Sequence, residues 1–98
     1  MNTLKNLENW FSCRCDGDWE HGCRIKITTL DNPGWSIDIS LRDTELVACV
    51  LEIVKTDRSE EDWFWCWTEG EIFKARGGPK NLEEMIGFFL AWADRISR

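Results

Sequence analysis

The segment WFWCW, residues 63–67, restricts the fold of this 98-residue chain more than any other part of it. As a β-strand it places three tryptophans on one face of a sheet and Phe64 and Cys66 on the other. In a domain of this size only one face of a sheet meets the helices. Bulky aromatic side chains must therefore lie on the second face, where a loop, a second protomer or a partner covers them.

Two orientations of this strand remain open from the sequence. In the first, Trp63, Trp65 and Trp67 form the core and Phe64 is partly covered. In the second, the three indoles face outward and contact a partner, because tryptophan is enriched at interface hot spots and exposed apolar patches mark binding sites. Acidic residues nearby in the chain would surround such a patch, namely Glu60, Glu61, Asp62, Glu69 and Glu71.

The middle of the chain predicts an antiparallel sheet. Alternating apolar residues and turn signals indicate five strands, at residues 24–30, 35–41, 50–56, 63–69 and 71–76. The sequence DNPG (31–34) joins the first two as a hairpin, since Pro33 presets the backbone of a turn and Gly34 accepts positive φ.

A helix is predicted on each side of the strands. The first covers residues 3–14 with Thr3 as its N-cap, and the last follows Asn81, with Glu84 as a capping-box partner. Without repeats or long linkers, we expect one α+β domain over residues 1–98, in which both helices pack on one face of the sheet.

The net charge of −6 and the pI near 4.7 argue against nucleic acid or an anionic membrane as partner, because both attract basic surfaces. The first ten residues lack the pattern of a signal peptide, and no apolar run approaches membrane-spanning length. These features predict a cytoplasmic protein, in which the five cysteines are free thiols.

The stretch CRCDGDWEHGC, residues 13–23, allows three interpretations. The first is a zinc site, whose ligands would be Cys13, Cys15, His21 and Cys23. The spacing C-x-C-x5-H-x-C fits poorly, because structural zinc sites use C-x2-4-C pairs separated by a longer loop.

The second interpretation is catalytic, with Cys15 or Cys23 as nucleophile, His21 as base and Asp16 or Asp18 to orient it. No second acid–base partner stands elsewhere in the chain. The third is a glycine-hinged loop around Trp19, which packs as a lid on the core or presents an acidic edge made of Asp16, Asp18 and Glu20 to a partner.

Five sequence blocks together resemble the immunity protein 53 (Imm53) family of bacterial polymorphic toxin systems. The resemblance covers about residues 4–93 and includes a terminal helix with Trp92. The blocks are CDGDWEHG (15–22), TLDNPGWSI (29–37), TEL (44–46), RSEEDW (58–63) and GGPKNLEEM (77–85). Cys13, Cys23 and the additional aromatics of residues 63–67 depart from the family pattern.

The resemblance implies a cytoplasmic, non-enzymatic protein that binds and inhibits a cognate toxin domain, without a cofactor. We expect it to occlude the active site of the toxin, and its charge of −6 to mimic nucleic acid if the toxin is a nuclease. The expected contact residues are Asp16, Asp18, Trp19, Glu20, Glu61, Asp62, Trp63, Trp65 and Trp67. The alternatives are a zinc module and a tryptophan-rich peptide- or sugar-binding domain, and a homodimer through the tryptophan strand is also possible.

Overall fold

The computed structural model describes residues 2–96 and contains a five-stranded antiparallel sheet and three helices. The helices are α1 (Thr3–Arg14), the single turn α2 (Trp19–Gly22) and α3 (Leu82–Ile96). The strands are β1 (Ile25–Leu30), β2 (Gly34–Ser40), β3 (Val54–Asp57), β4 (Trp63–Glu69) and β5 (Ile72–Gly77). Within residues 2–96 no helix has the length and apolar character needed to cross a membrane.

The strands lie in the order β1-β2-β5-β4-β3. Tight turns join β1 to β2 and β4 to β5, and the β2–β5 pairing joins the two hairpins. Gly70 makes the β4–β5 turn with a φ of +63°, a conformation that glycine adopts without strain.

The hydrophobic core lies between the sheet and α3. Phe73 of β5 packs against Phe89 and Trp92 of α3, with ring centroids 5.0 and 5.8 Å apart. Helix α1 packs against α3, and its Trp10 meets Phe89 edge to face at 5.0 Å. Leu7 of α1 belongs to the same core, so the α+β prediction with the helices on one sheet face is confirmed.

The structure decides the orientation of β4. Phe64 and Cys66 point into the core, 8% and 0% exposed, while the three tryptophans lie on the face opposite the helices. Ala75 and Gly77 of β5 lie beside Cys66 and Phe64, and a Cβ at Gly77 would collide with the Met85 side chain of α3. Small side chains therefore let α3 approach the sheet, and three indoles on that side would leave no room for it.

The cap of α1 and the start of β3 differ from the prediction, and the bounds of β1, β2 and β5 differ from it by one residue. Asn2, and not Thr3, caps α1, because its side-chain oxygen accepts a hydrogen bond from the Lys5 backbone N–H at 3.3 Å. The third strand begins at Val54 instead of residue 50. At Leu51 only half of the pairing with β4 is main-chain, because the Leu51 carbonyl accepts from the Thr68 N–H at 3.0 Å but the Leu51 N–H donates to the Thr68 hydroxyl at 2.9 Å.

Asn81 precedes α3 as predicted, but it does not form a capping box with Glu84. Its side-chain oxygen accepts from the Trp63 backbone N–H at 3.3 Å, and its side-chain nitrogen donates to Glu84 at 2.8 Å. Asn81 is 2% exposed. It therefore fastens the start of α3 to the start of β4.

Candidate partner-binding surface

The sheet face opposite the helices, here called the open face, is lined along β4 by Trp63, Trp65 and Trp67. Each of the three is partly exposed. Trp63 and Trp65 meet at an interplanar angle of 67° with centroids 5.5 Å apart. No helix packs on this face among the described residues, so the three indoles form an aromatic row that is accessible from outside.

Hydrogen bonds at the edge of the open face hold two of these rings. The Trp65 Nε1–H donates to Asp57 Oδ1 at 2.8 Å, and the Trp67 Nε1–H donates to Glu69 Oε1 at 3.4 Å. The polar atom of each ring is thus satisfied inside the chain, and the apolar part of the ring remains for contact with another molecule.

Cations from the neighbouring strands lie against the same rings. The Lys55 ammonium is 4.5 Å from the centroid of Trp65, and the Arg76 guanidinium carbon is 5.6 Å from that of Trp67. Arg76 also forms an ion pair with Asp38 of β2 at 3.0 Å. Such cation–π contacts each contribute about 0.5–1 kcal/mol at exposed sites and fix the ring orientations.

Sequence reasoning missed these cations and expected an acidic rim. Alternation along IKITTL and EIFKAR places Lys26, Lys74 and Arg76 on the outward side of their strands, so the signal was present. The β4–β5 hairpin brings Lys74 and Arg76 beside the tryptophans, whereas the pairing of β2 with β5, which adds β1 with Lys26 to the same face, cannot be read from the sequence.

Asp62 and Glu61 lie at the start of β4, in the loop before Trp63. Arg58 donates two hydrogen bonds to Asp62, at 2.7 and 3.0 Å, and Asn81 donates a third at 2.9 Å. The hydrogen bonds from Arg58 and then Asn81 lower the pKa of Asp62. Arg58 also binds Glu84 at 2.6 Å, so Asp62 has an internal role, whereas Glu61 is exposed.

The acidic loop, residues 15–18 together with α2, is held by its own carboxylates. Asp16 Oδ1 accepts from the backbone N–H groups of Trp19 and Asp18, both at 2.9 Å, and these bonds lower the pKa of Asp16. Glu20 accepts from the N–H groups of Asp16 and Gly17 at 3.0 and 2.9 Å. Only Asp18 among the three acids has no such bond to a backbone N–H within the described residues.

Trp19 is buried, with 5% of its surface exposed. Its Nε1–H donates to the Arg42 carbonyl at 2.6 Å, and its ring lies about equally far from Trp10 and Phe11, at 6.1 and 6.0 Å. This is the core-lid position that the third interpretation of residues 13–23 describes.

The structure divides the nine expected contact residues into two groups. The acidic loop precedes β1, and the successive pairings of β1 with β2, β2 with β5 and β5 with β4 place the start of β1 level with the end of β4. Glu61 and Asp62 lie at the other end of β4. Asp16, Asp18, Trp19 and Glu20 therefore form one group, and Glu61, Asp62 and the three strand tryptophans form another.

The zinc ligand set is not assembled. Within residues 2–96 no group of three or more His, Cys, Asp or Glu side chains is placed to hold a metal ion. Cys13 is exposed, Cys23 is buried, and the Cys15 thiol donates to the Phe11 carbonyl at 3.3 Å. In the core, burial raises the pKa of the Cys66 thiol to about 12, which leaves it protonated and unreactive at neutral pH.

The molecule is thus a small α+β domain with one sheet face covered by helices and the other lined with aromatic and cationic side chains. The family model of immunity protein 53 matches residues 4–94. The chain therefore belongs to the Imm53 family of immunity proteins of polymorphic toxin systems, and the partner that this family implies is a toxin protein. No curated protein and no solved structure matches the chain.

Proposed function

We propose that this protein binds its cognate toxin domain through the open face and inhibits it by covering its active site. It acts in the cytoplasm of the cell that makes it and performs no chemistry of its own. The observation that carries this proposal is the row of Trp63, Trp65 and Trp67 on a sheet face that no helix of residues 2–96 covers. Family membership supplies the toxin as partner.

The energetics of the row support binding. A partly exposed tryptophan gives a large contact area with little loss of side-chain freedom, and clustered aromatic anchors carry most of the energy at protein interfaces. The indole N–H groups of Trp65 and Trp67 already have partners, so covering these rings leaves no buried donor unsatisfied. Apolar contact over the rings is therefore favourable without matching donors or acceptors on the toxin.

Within this proposal the expected contact residues have different roles. Trp63, Trp65 and Trp67 are the anchors, and Glu61 extends the contact at the start of β4. Asp62 supports the loop by its bonds to Arg58 and Asn81. Asp16, Asp18 and Glu20 form a separate edge. A toxin contacts this edge as well as the tryptophans only if it extends around the end of the strands.

The proposal is tested by capture and inhibition. The tagged chain is used to recover proteins from the producing bacterium, the captured toxin domain is identified by mass spectrometry and expressed, and its activity is measured with and without the chain. We expect stoichiometric inhibition by the wild type and none by the Trp65→Ala/Trp67→Ala variant. Inhibition that survives this double substitution in a folded protein contradicts the open face as the contact.

Self-association is examined in the same preparation. Light scattering of the purified chain distinguishes a monomer, whose open face is free for the toxin, from a dimer that buries it. A stable dimer that Trp65→Ala dissociates assigns the face to a second copy of the chain instead.

A further inference from the structure

A basic cleft lies at one end of the open face, although the whole chain is acidic. The cleft has a volume of about 430 Å³ and lies where the start of β1, the end of β2 and the start of β5 meet. Its charged lining residues are Arg24, Lys26, Arg42, Asp38 and Glu71. The three basic side chains are all exposed.

The cleft continues into the aromatic row. Lys26, Asp38 and Lys74 are consecutive cross-strand neighbours on β1, β2 and β5, and Lys74 in turn pairs with Trp67 of β4. Asp38 is bound by Arg76, so one carboxylate stands among three cations. Lys26 and Lys74 form no ion pair within residues 2–96.

The charge of this face is opposite to that of the molecule. The strand residues that point outward, together with the cleft and Glu61, hold six of the twelve lysines and arginines and five of the eighteen acids. The face therefore carries a formal charge of +1, and −7 remains for the rest of the chain, which sums to −6. An interface opposite this face is stabilised by negative charge on the partner.

We infer that the toxin surface that meets the open face is acidic, and that the cleft receives a carboxylate from it beside the tryptophan row. This inference rests on the proposed function and deepens it by naming the chemistry of the partner. It differs from the expectation that the charge of −6 mimics nucleic acid, because a mildly basic face is not complementary to a basic, nucleic-acid-binding groove. A basic groove fits only the acidic remainder of the surface.

The chemistry of the cleft is tested without the toxin. Fluorescein-labelled hexaglutamate is titrated with the chain at low ionic strength and its anisotropy is recorded. The peptide binds saturably in spite of the repulsive net charge, and Lys26→Glu/Lys74→Glu weakens binding by about tenfold or more. The matched control, Lys5→Glu/Arg95→Glu, changes the net charge equally but lies on the helices of the opposite sheet face, and it changes binding by less than about twofold.

Two outcomes overturn the inference. One is the absence of saturable hexaglutamate binding at low salt, and the other is an equal loss of binding in both charge-reversed pairs, which shows that only net charge acts. If the Lys26→Glu/Lys74→Glu variant does not fold, hexaglutamate binding is measured instead on Lys26→Gln/Lys74→Gln, whose circular dichroism spectrum must match that of the wild type. This variant is expected to show a smaller loss in the same direction.

The captured toxin domain separates this inference from the proposed function. If Trp65→Ala abolishes toxin binding while Lys26→Glu/Lys74→Glu leaves it unchanged, the proposed function stands and the acidic-partner inference is wrong. If neither variant weakens binding, the open face is not the contact and both are wrong. We expect both variants to bind more weakly, and the lysine pair to lose most of the salt dependence of the association rate.

Discussion

The open face and the acidic loop both carry tryptophan and carboxylates, yet they use them in opposite ways. In the loop, Trp19 is buried and the carboxylates of Asp16 and Glu20 accept backbone N–H groups of the same loop. On the open face, Trp65 and Trp67 are partly exposed, and the carboxylates beside them bind the indole edges. The loop therefore stabilises the fold, whereas the open face keeps its ring surfaces available.

This difference shows that residue type alone does not identify a binding site in a tryptophan-rich chain. A tryptophan marks a contact surface when its polar edge is satisfied inside the protein and its ring is not covered. The same residue becomes structural when other aromatic rings enclose it. Substitutions in the two regions should accordingly change different quantities.

The largest effect is expected at Trp19. Trp19→Ala removes a buried indole from between α1 and the Arg42 carbonyl and should lower the free energy of unfolding by about 3–5 kcal/mol. Trp19→Phe is the control, because it keeps an aromatic ring and loses the hydrogen bond and part of the buried ring surface, at a smaller cost of about 1–2 kcal/mol. Urea denaturation measures the free energy of unfolding of both variants. If Trp19→Ala lost less stability than Trp19→Phe, Trp19 would not have the structural role that separates the loop from the open face.

The next effect is expected at Trp65, in binding. Trp65→Ala should weaken toxin affinity by about 2 kcal/mol or more, as for a hot-spot residue, and lower stability by less than Trp19→Ala does. Calorimetric titration of the captured toxin domain measures the affinity. Asp18→Asn is the matched control, since Asp18 is exposed in the acidic loop, and it should bind within about twofold of wild type. The reverse ranking would assign the contact to the loop.

A smaller effect is expected at Asp16. Asp16→Ala leaves the N–H groups of Asp18 and Trp19 without their acceptor and should lower stability as the loss of a helix cap does, by less than Trp19→Ala. Toxin affinity, measured on the same sample, should remain unchanged. A large loss of affinity without loss of stability would show that the loop carboxylate contacts the toxin directly.

The smallest effect is the pH dependence of stability. The pKa values of Asp16 and Asp62 are lowered in the folded protein from the ordinary aspartate pKa of 3.8, so their ionised forms stabilise the fold at neutral pH. This stabilisation is lost as the pH falls below 3.8 and through the lowered pKa values. Urea midpoints recorded across this range should fall more steeply for the wild type than for Asp16→Asn or Asp62→Asn. Parallel curves would show that neither carboxylate is held by its hydrogen bonds.

Much of the fold could be predicted from local patterns. Apolar spacing predicted α1 and α3, alternation predicted β4 at residues 63–69, and DNPG and Gly70 marked the two tight turns. The late start of β3 was not predictable, because it depends on the Thr68 side chain of a neighbouring strand. The single turn α2 was not predicted either, because local hydrogen bonds to Asp16 and Glu20 hold it and no apolar periodicity indicates it.

The candidate site was harder to predict than the fold. The sequence showed that one side of the strand at 63–67 must face outward, but which side depends on how closely α3 approaches Gly77 and Ala75. It also grouped Glu61 with the tryptophans because they are close in the chain. The cations beside Trp65 and Trp67 come from β3 and β5, and the cleft cations Arg24, Lys26 and Arg42 come from more distant segments.

The measurement that tests the central claim most directly is the response of the seven indole N–H signals when the captured toxin domain is added. A nitrogen–proton correlation spectrum of the labelled chain, assigned with single Trp→Phe variants, resolves them. The account predicts that the signals of Trp63, Trp65 and Trp67 shift or broaden while that of Trp19 remains in place. A shift confined to Trp19 and the acidic loop, with the three strand indoles unchanged, would contradict it.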